Sequence, residues 1–486
     1  MANKKCPVAK KCSGCQLSNM TYEQQLEWKQ KDTEKLLGSF GKVSKIIGAD
    51  DPYNYRNKVQ AVFRSDRNGR IISGVYQSSR NGIVGIDSCM LDDKRADEII
   101  VGIRDLLRSF KLHPYDESTE RGFLRHVLVR VGKNTGEILV TLVGGNSMFP
   151  KKHDFVKALV KRFPDITTVT FSVNRTPEML LLGDNNEVLY GEGYITDILC
   201  GKRFRISPHS FYQINHAQTE KLYDYAIKAA KLTKKDVLLD AYSGIGTIGI
   251  IASDYVKQVQ GIEYNASAVR DAVKNCHENG ITRNIAFNRG DAGEFLEKKA
   301  KLGTHYDAVI LDPARTGADR KFLNSLLKIA PERIVYISCN PATQARDLKT
   351  LTKKYTVTDI QPFDMFPHTR HVETVVLLSH KKPDSHINVK VEFGEGEGKV
   401  PLKAISERAE AYKPKERVTY KMIKEYIEAK YGFKVHTAYI AEVKRDLGLP
   451  MYDAPNAVEE LKQPRKHPTA EKVEAIKDAL KHFEVI

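Results

Sequence analysis

Apolar and polar positions alternate in two different rhythms along the chain. Between residues 55 and 200, short apolar runs such as "KVQAVF", "RHVLVRVG" and "EILVTLV" are separated by turn residues, and helical patterns occur near 93–111 and 151–163. Apolar alternation with a period of two over about four to eight residues is typical of strands that bury one face. This part of the chain therefore predicts an antiparallel α+β domain.

From about residue 203 the spacing changes, and successive apolar runs leave room for a helix between them. These runs begin near Val237, Val259, Ile285, Asp307, Arg333 and Thr356. Alternating strands and helices indicate βαβ units and a doubly wound, Rossmann-like α/β domain with a parallel sheet. The final run, "HVETVVLLS" from His371, follows its predecessor too closely for a crossover helix. We therefore expect an antiparallel pair of strands at the end of this sheet.

The same patterns divide the chain into four parts. We predict a cysteine-rich segment at 1–20, the central α+β domain at 21–200, the Rossmann-like domain at 201–380 and a small accessory domain at 387–486. The stretch "SHKKPDSH" (379–386) predicts a linker before the last part. Beyond it, "VTYKMIKEYIEAKYG" and "TAYIAEVKRDLG" predict two amphipathic helices, which allow a helix-turn-helix but more commonly only pack together. We assign no role to this accessory domain.

Composition and charge narrow the function classes. No apolar run approaches the roughly 18 to 20 residues of a membrane-spanning helix, and the N-terminus lacks the apolar stretch of a secretion signal, so we expect a cytoplasmic protein. The net charge is +16, and residues 381–486, with 21 Lys and Arg against 18 Asp and Glu, contribute only +3 of it. Basic residues in 1–380 therefore favour a polyanionic partner such as nucleic acid, with a solvated basic surface as the alternative.

A nucleotide-binding pattern lies at the start of the Rossmann-like domain. In "VLLDAYSGIGTIGI" (237–250), Gly244-x-Gly246-x-x-Gly249 lies between a strand and a helix start, where backbone N–H groups can approach a ligand. Glu263 ends the next strand, where it can bind a ribose diol, and Asp291 after the third strand can face an adenine or hold a loop. The pattern fits NAD, FAD or S-adenosylmethionine. Asp240 favours the last, because its carboxylate would repel a pyrophosphate and suits the ammonium of a methionine moiety.

Two further strand ends carry reactive groups. Asp312 follows the fourth strand in "YDAVILDPAR", and Cys339 follows the fifth in "RIVYISCNPAT". Doubly wound folds bind ligands at this edge, and a helix that begins at "PATQARDL" would stabilise a thiolate through its N-terminal N–H groups. Glu373 opens the last strand, where it is either a solvent-facing residue or a base with a raised pKa. Free cysteines are usually inert, but these groups together predict catalysis.

Seven cysteines are present, and their odd number argues against a disulfide framework. Three of them, Cys6, Cys12 and Cys15, lie within ten residues, and Cys89 in "GIDSCML" supplies a fourth thiol. Four thiolates suit a zinc ion and an iron–sulfur cluster about equally well.

Four motifs, "SFYQIN" (210–215), "DPAR", "YISCNPAT" and "HVETVVLL", closely resemble those of the RNA uracil-5-methyltransferases, and the resemblance covers about residues 5–380. It implies a class I methyltransferase domain that uses S-adenosylmethionine. By this resemblance Cys339 is the nucleophile that adds to C6 of uracil, and Glu373 is the base that removes the C5 proton. Gln213, Tyr242, Glu263 and Asp312 match the family's S-adenosylmethionine and substrate positions.

The cysteine spacing matches the [4Fe-4S] site of the ribosomal-RNA branch of this family. The match implies that Cys6, Cys12, Cys15 and Cys89 hold a cluster and that the substrate is 23S rRNA. The transfer-RNA branch lacks the cluster and gives the alternative, a tRNA uracil-5-methyltransferase. We expect a monomer.

Many members of the family begin with an RNA-binding TRAM domain, whereas this sequence begins at the cysteines. We therefore expect RNA affinity to come from the accessory domain or from basic residues of the central domain. The candidates are Arg56, Lys58, Arg64, Arg80, Arg121, Arg125 and Arg130.

Two other function classes fit the sequence less well. An amino-methyltransferase needs an Asn-Pro-Pro-Tyr loop after the fourth strand, whereas Asn340 follows the fifth and Thr343 cannot stack on a base. A non-catalytic RNA-binding protein with a relic nucleotide fold would lack the nucleophile or the base, and both are present.

Overall fold

The computed structural model describes residues 6–77, 82–175, 182–183, 186–381, 419–447, 449 and 467–483, so Arg80 lies outside the described residues. The chain divides into two compact units, Met1–Ser385 and His386–Ile486. Among the helices of the described ranges, none has both the length and the apolar character that crossing a bilayer requires.

The first unit contains two large sheets, a small hairpin and nine of the described helices. The strands are β1 (Lys58–Ser65), β2 (Ile71–Tyr76), β3 (Ile83–Gly85), β4 (Leu124–Val131), β5 (Ile138–Gly144), β6 (Ile166–Val173), β7 (Asn186–Tyr190), β8 (Ile195–Leu199), β9 (Lys202–Ile206), β10 (Val237–Ala241), β11 (Gln258–Glu263), β12 (Ile285–Arg289), β13 (Ala308–Leu311), β14 (Arg333–Ser338), β15 (Tyr355–Phe363) and β16 (Glu373–His380). The helices are α1 (Tyr22–Leu37), α2 (Lys94–Ser109), α3 (Lys152–Arg162), α4 (His216–Ala229), α5 (Thr247–Ala252), α6 (Ala266–Glu278), α7 (Ala292–Lys301), α8 (Arg320–Ile329) and α9 (Pro341–Leu351).

The first sheet has the strand order β3-β2-β1-β4-β5-β6-β7. Its pairs are antiparallel except for β5 and β6, which are parallel because α3 carries the chain back between them. The prediction of an entirely antiparallel sheet is therefore wrong at this pair. The apolar faces of α2 and α3 bury residues such as Ile103, Leu107 and Phe155 against the sheet and form one hydrophobic core.

The second sheet has the order β12-β11-β10-β13-β14-β16-β15. The first five strands in this order are parallel, which confirms the predicted doubly wound α/β fold. The predicted antiparallel pair is present, but β16 does not lie at the edge. It inserts between β14 and β15 and is antiparallel to both, so its first residue, Glu373, reaches the carboxyl edge of the parallel strands.

The N-terminal segment packs on this second sheet. Helix α1 begins with a capping box between Thr21 and Gln24 and contacts α9 and β15. Beyond α1, Val43 and Ile47 form isolated parallel bridges with Ile360 and Phe363 of β15. The segment that follows the cysteines therefore covers the outer side of β15.

The second unit contains three described helices, α10 (Tyr420–Tyr431), α11 (Thr437–Asp446) and α12 (Ala470–His482). The two predicted helices correspond to α10 and α11. Ile427, Ile440 and Ile476, one from each helix, are fully buried in a shared core.

Candidate active site

The glycine-rich turn after β10 is built around a buried carboxyl group. Asp240 is 1% exposed, and its Oδ2 accepts a hydrogen bond from Gly249 N at 2.8 Å. Burial raises the pKa of Asp240 to about 7. The expectation that Asp240 faces a ligand's ammonium group is therefore wrong, because the side chain points into the fold and fixes the turn instead.

The turn itself is shaped for close approach of a ligand. Gly246 has φ +82°, and a Cβ there would meet the Phe287 ring at 2.5 Å, so a larger residue cannot take this position. Tyr242 also has a positive φ, +63°. The buried Tyr242 Oη and Ser243 Oγ have no hydrogen-bond partner among the described residues. These two atoms leave unfilled hydrogen-bonding capacity beside the turn, which fits a polar ligand.

Two other predicted ligand positions, Glu263 and Asp291, already accept hydrogen bonds from the protein backbone. Glu263 accepts hydrogen bonds from Gly244 N at 3.0 Å and Asn265 N at 2.7 Å, which holds its carboxylate against the turn. Asp291 is the N-cap of α7, where it accepts from Glu294 N. Asp291 therefore has a structural role as a helix cap, and only the lone pairs that capping does not use can accept hydrogen bonds from a ligand.

Cys339 lies between a strand and a helix, as predicted. It is the residue after β14, and Asn340 caps α9 by accepting a hydrogen bond from Ala342 N. The thiol is partly exposed. Its pKa is raised to about 11 by burial, Glu373 and Asp312, while Arg315 lowers it through charge and a hydrogen bond.

Glu373 lies opposite Cys339 across two neighbouring strands. In the antiparallel pair of β14 and β16, Ser338 pairs with Thr374, so the next positions along each strand are Cys339 and Glu373. Glu373 is 2% exposed, and its pKa is raised well above the ordinary range by burial and then by Asp312. A buried carboxyl group with a raised pKa is a strong proton acceptor once it is ionised.

Asp312 connects the thiol with the glycine-rich turn. It follows β13, and its backbone N–H donates to Ala241 O, directly before Tyr242. Burial raises the pKa of Asp312 to about 7. The structure therefore brings Cys339, Glu373 and Asp312 together at the carboxyl edge of the sheet, and we call this group of side chains the catalytic pocket.

The last residue of the motif "DPAR" had no predicted role. Arg315 lowers the pKa of both Cys339 and Glu373, and so it is the positive charge of this pocket. Its backbone oxygen accepts hydrogen bonds from Asn340 Nδ2 at 3.0 Å and Thr343 Oγ1 at 3.2 Å. The sequence signal for this residue is a cation three positions after Asp312, the acidic residue that follows β13.

Tyr223 is a second residue to which no sequence pattern pointed. Its buried phenol lies 3.5 Å from Thr247 Oγ1. Burial and Asp312 raise the pKa of the phenol, and the nearby Gln213 side chain lowers it. The Gln213 backbone oxygen accepts a hydrogen bond from Asn57 Nδ2 at 3.0 Å. Gln213 therefore lies between the central domain and Asp312. Tyr223 lies in the middle of α4 without any motif, so only the fold places it there.

The four candidate cysteine ligands are close to one another but are not arranged as a metal site. Within the described ranges, no group of three His, Cys, Asp or Glu side chains has the geometry to hold a metal ion. The pKa of Cys15 is raised to about 11, mainly by burial, with smaller contributions from Cys12 and Cys6. Arg56 is electrostatically coupled to both Cys15 and Cys89. Cys15 and Cys89 thus lie near one cation, and Cys12 and Cys6 lie near Cys15.

Two of the predicted RNA contacts point into the protein. Arg125 is 6% exposed and donates to Asn174 O, and Arg130 is 3% exposed and donates to Pro208 O and Ser210 O. Both guanidinium groups are used to connect segments of the fold, so the prediction that they contact RNA is wrong. Arg121 is exposed, and its contact with RNA stays a prediction.

Comparisons with known proteins agree with this geometry. Residues 183–381 match the family model described as tRNA (Uracil-5-)-methyltransferase. An uncharacterized RNA methyltransferase of Halalkalibacterium halodurans is 40% identical over 382 residues, which cover 77% of this chain and 83% of that protein. A second one, of Staphylococcus aureus, is 38% identical over 381 residues, covering 77% and 84%.

A solved structure extends the similarity to the fold. The Pyrococcus abyssi tRNA (uracil-54, C5)-methyltransferase, in complex with S-adenosyl-L-homocysteine, matches with a TM-score of 0.63 and 29% identity over 77% of this chain and 87% of that one. The chain therefore belongs to the tRNA (uracil-5-)-methyltransferase family and is an RNA methyltransferase.

Proposed function

We propose that the chain transfers a methyl group from S-adenosylmethionine to C5 of a uridine in 23S rRNA. The observation that carries the proposal is the placement of Cys339 opposite Glu373, with Asp312 and Arg315 in the same pocket. S-adenosylmethionine, when bound, supplies the electrophilic methyl group. Tyr242 and the turn at Gly246 would hold it, and Glu263 would bind its ribose. Gln213 and Asp312 would lie between the cofactor and the uracil.

Cys339 begins the reaction by adding to C6 of a uridine that is rotated out of its stack. Asp312, whose pKa is about 7, accepts the thiol proton near neutral pH. Arg315 stabilises the thiolate before it adds. As the new S–C6 bond forms, the C5–C6 π electrons move to O4, and the resulting enolate makes C5 nucleophilic enough to take the methyl group.

Glu373 completes the reaction by removing the C5 proton. The electrons of the C5–H bond then restore the C5–C6 double bond and expel Cys339 as a thiolate, which can recover its proton from Asp312. The raised pKa of Glu373 suits this step, because a carboxylate that holds its proton tightly is a better base. The products are 5-methyluridine in RNA and S-adenosylhomocysteine.

We also propose that Cys6, Cys12, Cys15 and Cys89 hold a [4Fe-4S] cluster with a structural role. The support is the donor set, since Cys15 and Cys89 both lie near Arg56 and Cys12 and Cys6 lie near Cys15. The structural role follows because the reaction above requires no electron transfer. Binding would have to displace the protons that burial keeps on Cys15, whose pKa is raised to about 11. The side chains would also have to move, because within the described ranges they do not form a metal site.

The catalytic proposal is tested with 5-fluorouridine in the RNA. C5 of 5-fluorouridine carries fluorine instead of hydrogen, so no C5 proton can be removed and the cysteine cannot be eliminated. The wild-type protein with labelled S-adenosylmethionine should therefore accumulate a covalent RNA adduct that survives denaturing gel electrophoresis. Cys339→Ala should form no adduct, while Glu373→Gln should accumulate one even with ordinary uridine. A Cys339→Ala protein that still forms the adduct would remove this thiol from the mechanism.

The substrate is tested by offering matched transcripts of 23S rRNA and of tRNA. We expect 5-methyluridine in the rRNA transcript and at least tenfold slower transfer to tRNA. The opposite preference would establish the tRNA alternative. The support for this alternative is that the similar Pyrococcus abyssi enzyme is a tRNA methyltransferase.

The cluster is tested by anaerobic purification followed by iron, sulfide and zinc analysis. About four iron and four sulfide per chain, lost in Cys12→Ser, would support the proposal. One zinc without iron would overturn it. Cys276→Ser, at a buried cysteine outside this group, is the matched control and should keep the metal content of the wild type.

A further inference from the structure

Two adjoining cavities lie at one end of the central domain, away from the candidate active site. Their volumes are about 430 and 660 Å³, and they share Lys111, Leu112 and His113 as a common wall. One extends towards Arg121 and Met148, and the other towards Gly69 and Arg70 at the tip of the β1–β2 hairpin. We call these two cavities together the hairpin groove.

Positive charge dominates the rim of the hairpin groove. Arg70, Lys111 and Arg121 are exposed, and none of their side chains has an ion pair or hydrogen bond among the residues that the structure describes. Arg108 also lines the groove, where it pairs with Asp105 and donates to Ile71 O. Three cations without partners are therefore available to a ligand.

The carboxylate on the groove's lining already accepts several hydrogen bonds. Asp116 is the one carboxylate on the described lining, and its Oδ1 accepts hydrogen bonds from Ser118 N, Ser118 Oγ and Thr119 N. Glu117, next along the chain, forms ion pairs with Arg64 and Arg125. Four cations, Arg70, Arg108, Lys111 and Arg121, stand against this one carboxylate on the described lining, and the resulting excess of positive charge suits phosphate groups.

The smaller cavity adds an apolar surface to this charge. Leu112, Pro114 and Pro150 line it, and Met148 stands beside them with 71% of its surface exposed. An apolar surface next to unpartnered cations is the combination that binds single-stranded nucleic acid, since the base packs on the apolar side and the backbone meets the cations. A volume of about 430 Å³ can hold one nucleotide.

The groove is too far from Cys339 to serve the target uridine. Strand β1 connects the two regions, because Asn57, directly before it, donates to Gln213 O and Ser65 at its end lines the groove. At about 3.3 Å per residue, these ends lie about 25 Å apart. Only RNA several nucleotides from the target can reach the groove.

We propose that the hairpin groove binds a single-stranded segment of the substrate RNA that flanks the target uridine, with phosphates at Arg70, Lys111 and Arg121 and one base against Leu112 and Met148. The inference rests on the proposed function, because it needs an RNA substrate that extends well beyond the catalytic pocket. It assigns to the first sheet a part of the RNA affinity that the sequence had led us to expect from Arg125 and Arg130.

The test compares a long 23S rRNA fragment with an oligonucleotide that contains only the target loop. In Lys111→Gln/Arg121→Gln, the Kd for the long fragment should rise about tenfold, and the slope of log Kd against log salt should fall by about 2, one for each lost phosphate contact. The Kd for the short oligonucleotide and kcat should not change. The matched control, Lys274→Gln/Lys298→Gln, removes two exposed charges from α6 and α7 and should leave the Kd for both RNAs unchanged.

Three results would overturn the proposal: no loss of affinity, an equal loss in the control pair, or an equal loss on the short oligonucleotide. Photocrosslinking separates contact from general electrostatics. A 4-thiouridine placed in the flanking segment should crosslink to the peptide that contains Met148 in the wild-type protein, and the crosslink should be lost in the double variant. Absence of methyl transfer by the wild type would reject the proposed function, whereas the binding and crosslinking results decide the groove on their own.

Discussion

At the scale of single residues, the reacting groups oppose one another's ionisation. Cys339, Glu373 and Asp312 are three acids in a pocket with the cation of Arg315 beside them, and burial raises the pKa of each acid. Like charges in a low-dielectric pocket cannot all be present, so protons are kept and passed between the groups. Asp312 and Glu373, which helped to identify Cys339 in the sequence, therefore also raise the pKa of its thiol.

Replacing Arg315 should move the pH dependence of methyl transfer. The rate requires an ionised thiol and an ionised base, so it should rise with pH. Arg315→Gln removes the charge that lowers the pKa of Cys339 and Glu373, so the rise should move to higher pH with a loss of about tenfold at neutral pH. Single-turnover rates between pH 6 and 9.5 measure this. Arg315→Lys should recover part of the loss, and an unshifted profile with a uniform loss would show that Arg315 does not act through these pKa values.

Replacing Asp312 should stabilise the protein at high pH. The folded state raises the pKa of Asp312 to about 7, so its contribution to stability is present below its ordinary pKa and is lost as pH rises through 7. Asp312→Asn removes this pH-dependent loss of stability. The loss is at most about 1.4 kcal/mol for each unit by which folding raises the pKa of Asp312. The free energy of unfolding in urea should therefore favour the variant more at pH 8 than at pH 5, while methyl transfer falls.

Asp116→Asn is the matched control for this prediction. Asp116 is exposed, and hydrogen bonds from Ser118 lower its pKa, so the sign of its effect is opposite. This variant should gain no stability over the wild type as pH rises. A gain in both variants would mean that net charge, and not the burial of Asp312, sets the pH dependence.

At the scale of elements, the loop between β15 and β16 determines where Glu373 lies. Phe363 and Glu373 pair at its base, and the loop spans the residues between them. Helix α1, α4 and the segments around them bind consecutive carbonyl groups of this loop. The donors are Gln218 Nε2 to Asp364 O, Asn215 Nδ2 to Met365 O, Lys29 Nζ to Phe366 O, Tyr55 Oη to Pro367 O and Leu17 N to His368 O. The segment next to the cysteines therefore helps to position the base.

The buried ion pair between Lys29 of α1 and Asp364 should be the strongest of these contacts. Both side chains are 0% exposed, and Asp364 also accepts a hydrogen bond from Tyr22 Oη. Lys29→Met leaves a buried carboxylate without its cation and should lower the free energy of unfolding by about 3–5 kcal/mol. Urea denaturation measures this loss. Lys29→Met/Asp364→Asn removes the unpaired charge and keeps an acceptor for Tyr22, so it should recover a large part of the stability.

At the scale of the whole molecule, the two compact units have separate hydrophobic cores. Among the residues that the structure describes, the clusters of the first unit contain none after Leu378, and the cluster of α10, α11 and α12 contains none before Tyr420. The catalytic residues and the hairpin groove both lie in the first unit.

A chain that ends at Ser385 should therefore fold and react. We expect its melting temperature to lie within about 2 °C of the corresponding transition in the full chain, because the truncation removes no described residue of the first unit's hydrophobic clusters. Its kcat on the short oligonucleotide should also be unchanged. A tenfold rise in the Kd for long rRNA would instead give the C-terminal helices a share of RNA binding, which differential scanning calorimetry and filter binding together distinguish from unfolding.

Local patterns in the sequence determined the strands, their βαβ order, the helix start after Cys339 and the motifs that indicate the family. These features depend on neighbours along the chain, through apolar periodicity, capping and turn residues. The parallel pair β5–β6, the insertion of β16 and the burial of Arg125 and Arg130 were decided by tertiary structure alone. Strand register, packing partners and the field at a side chain depend on residues distant in sequence, such as Lys29 and Asp364, and no local pattern encodes those pairings. The sequence thus identified Cys339 and Glu373 as candidate catalytic residues, and only the fold placed them opposite each other with Arg315 beside them.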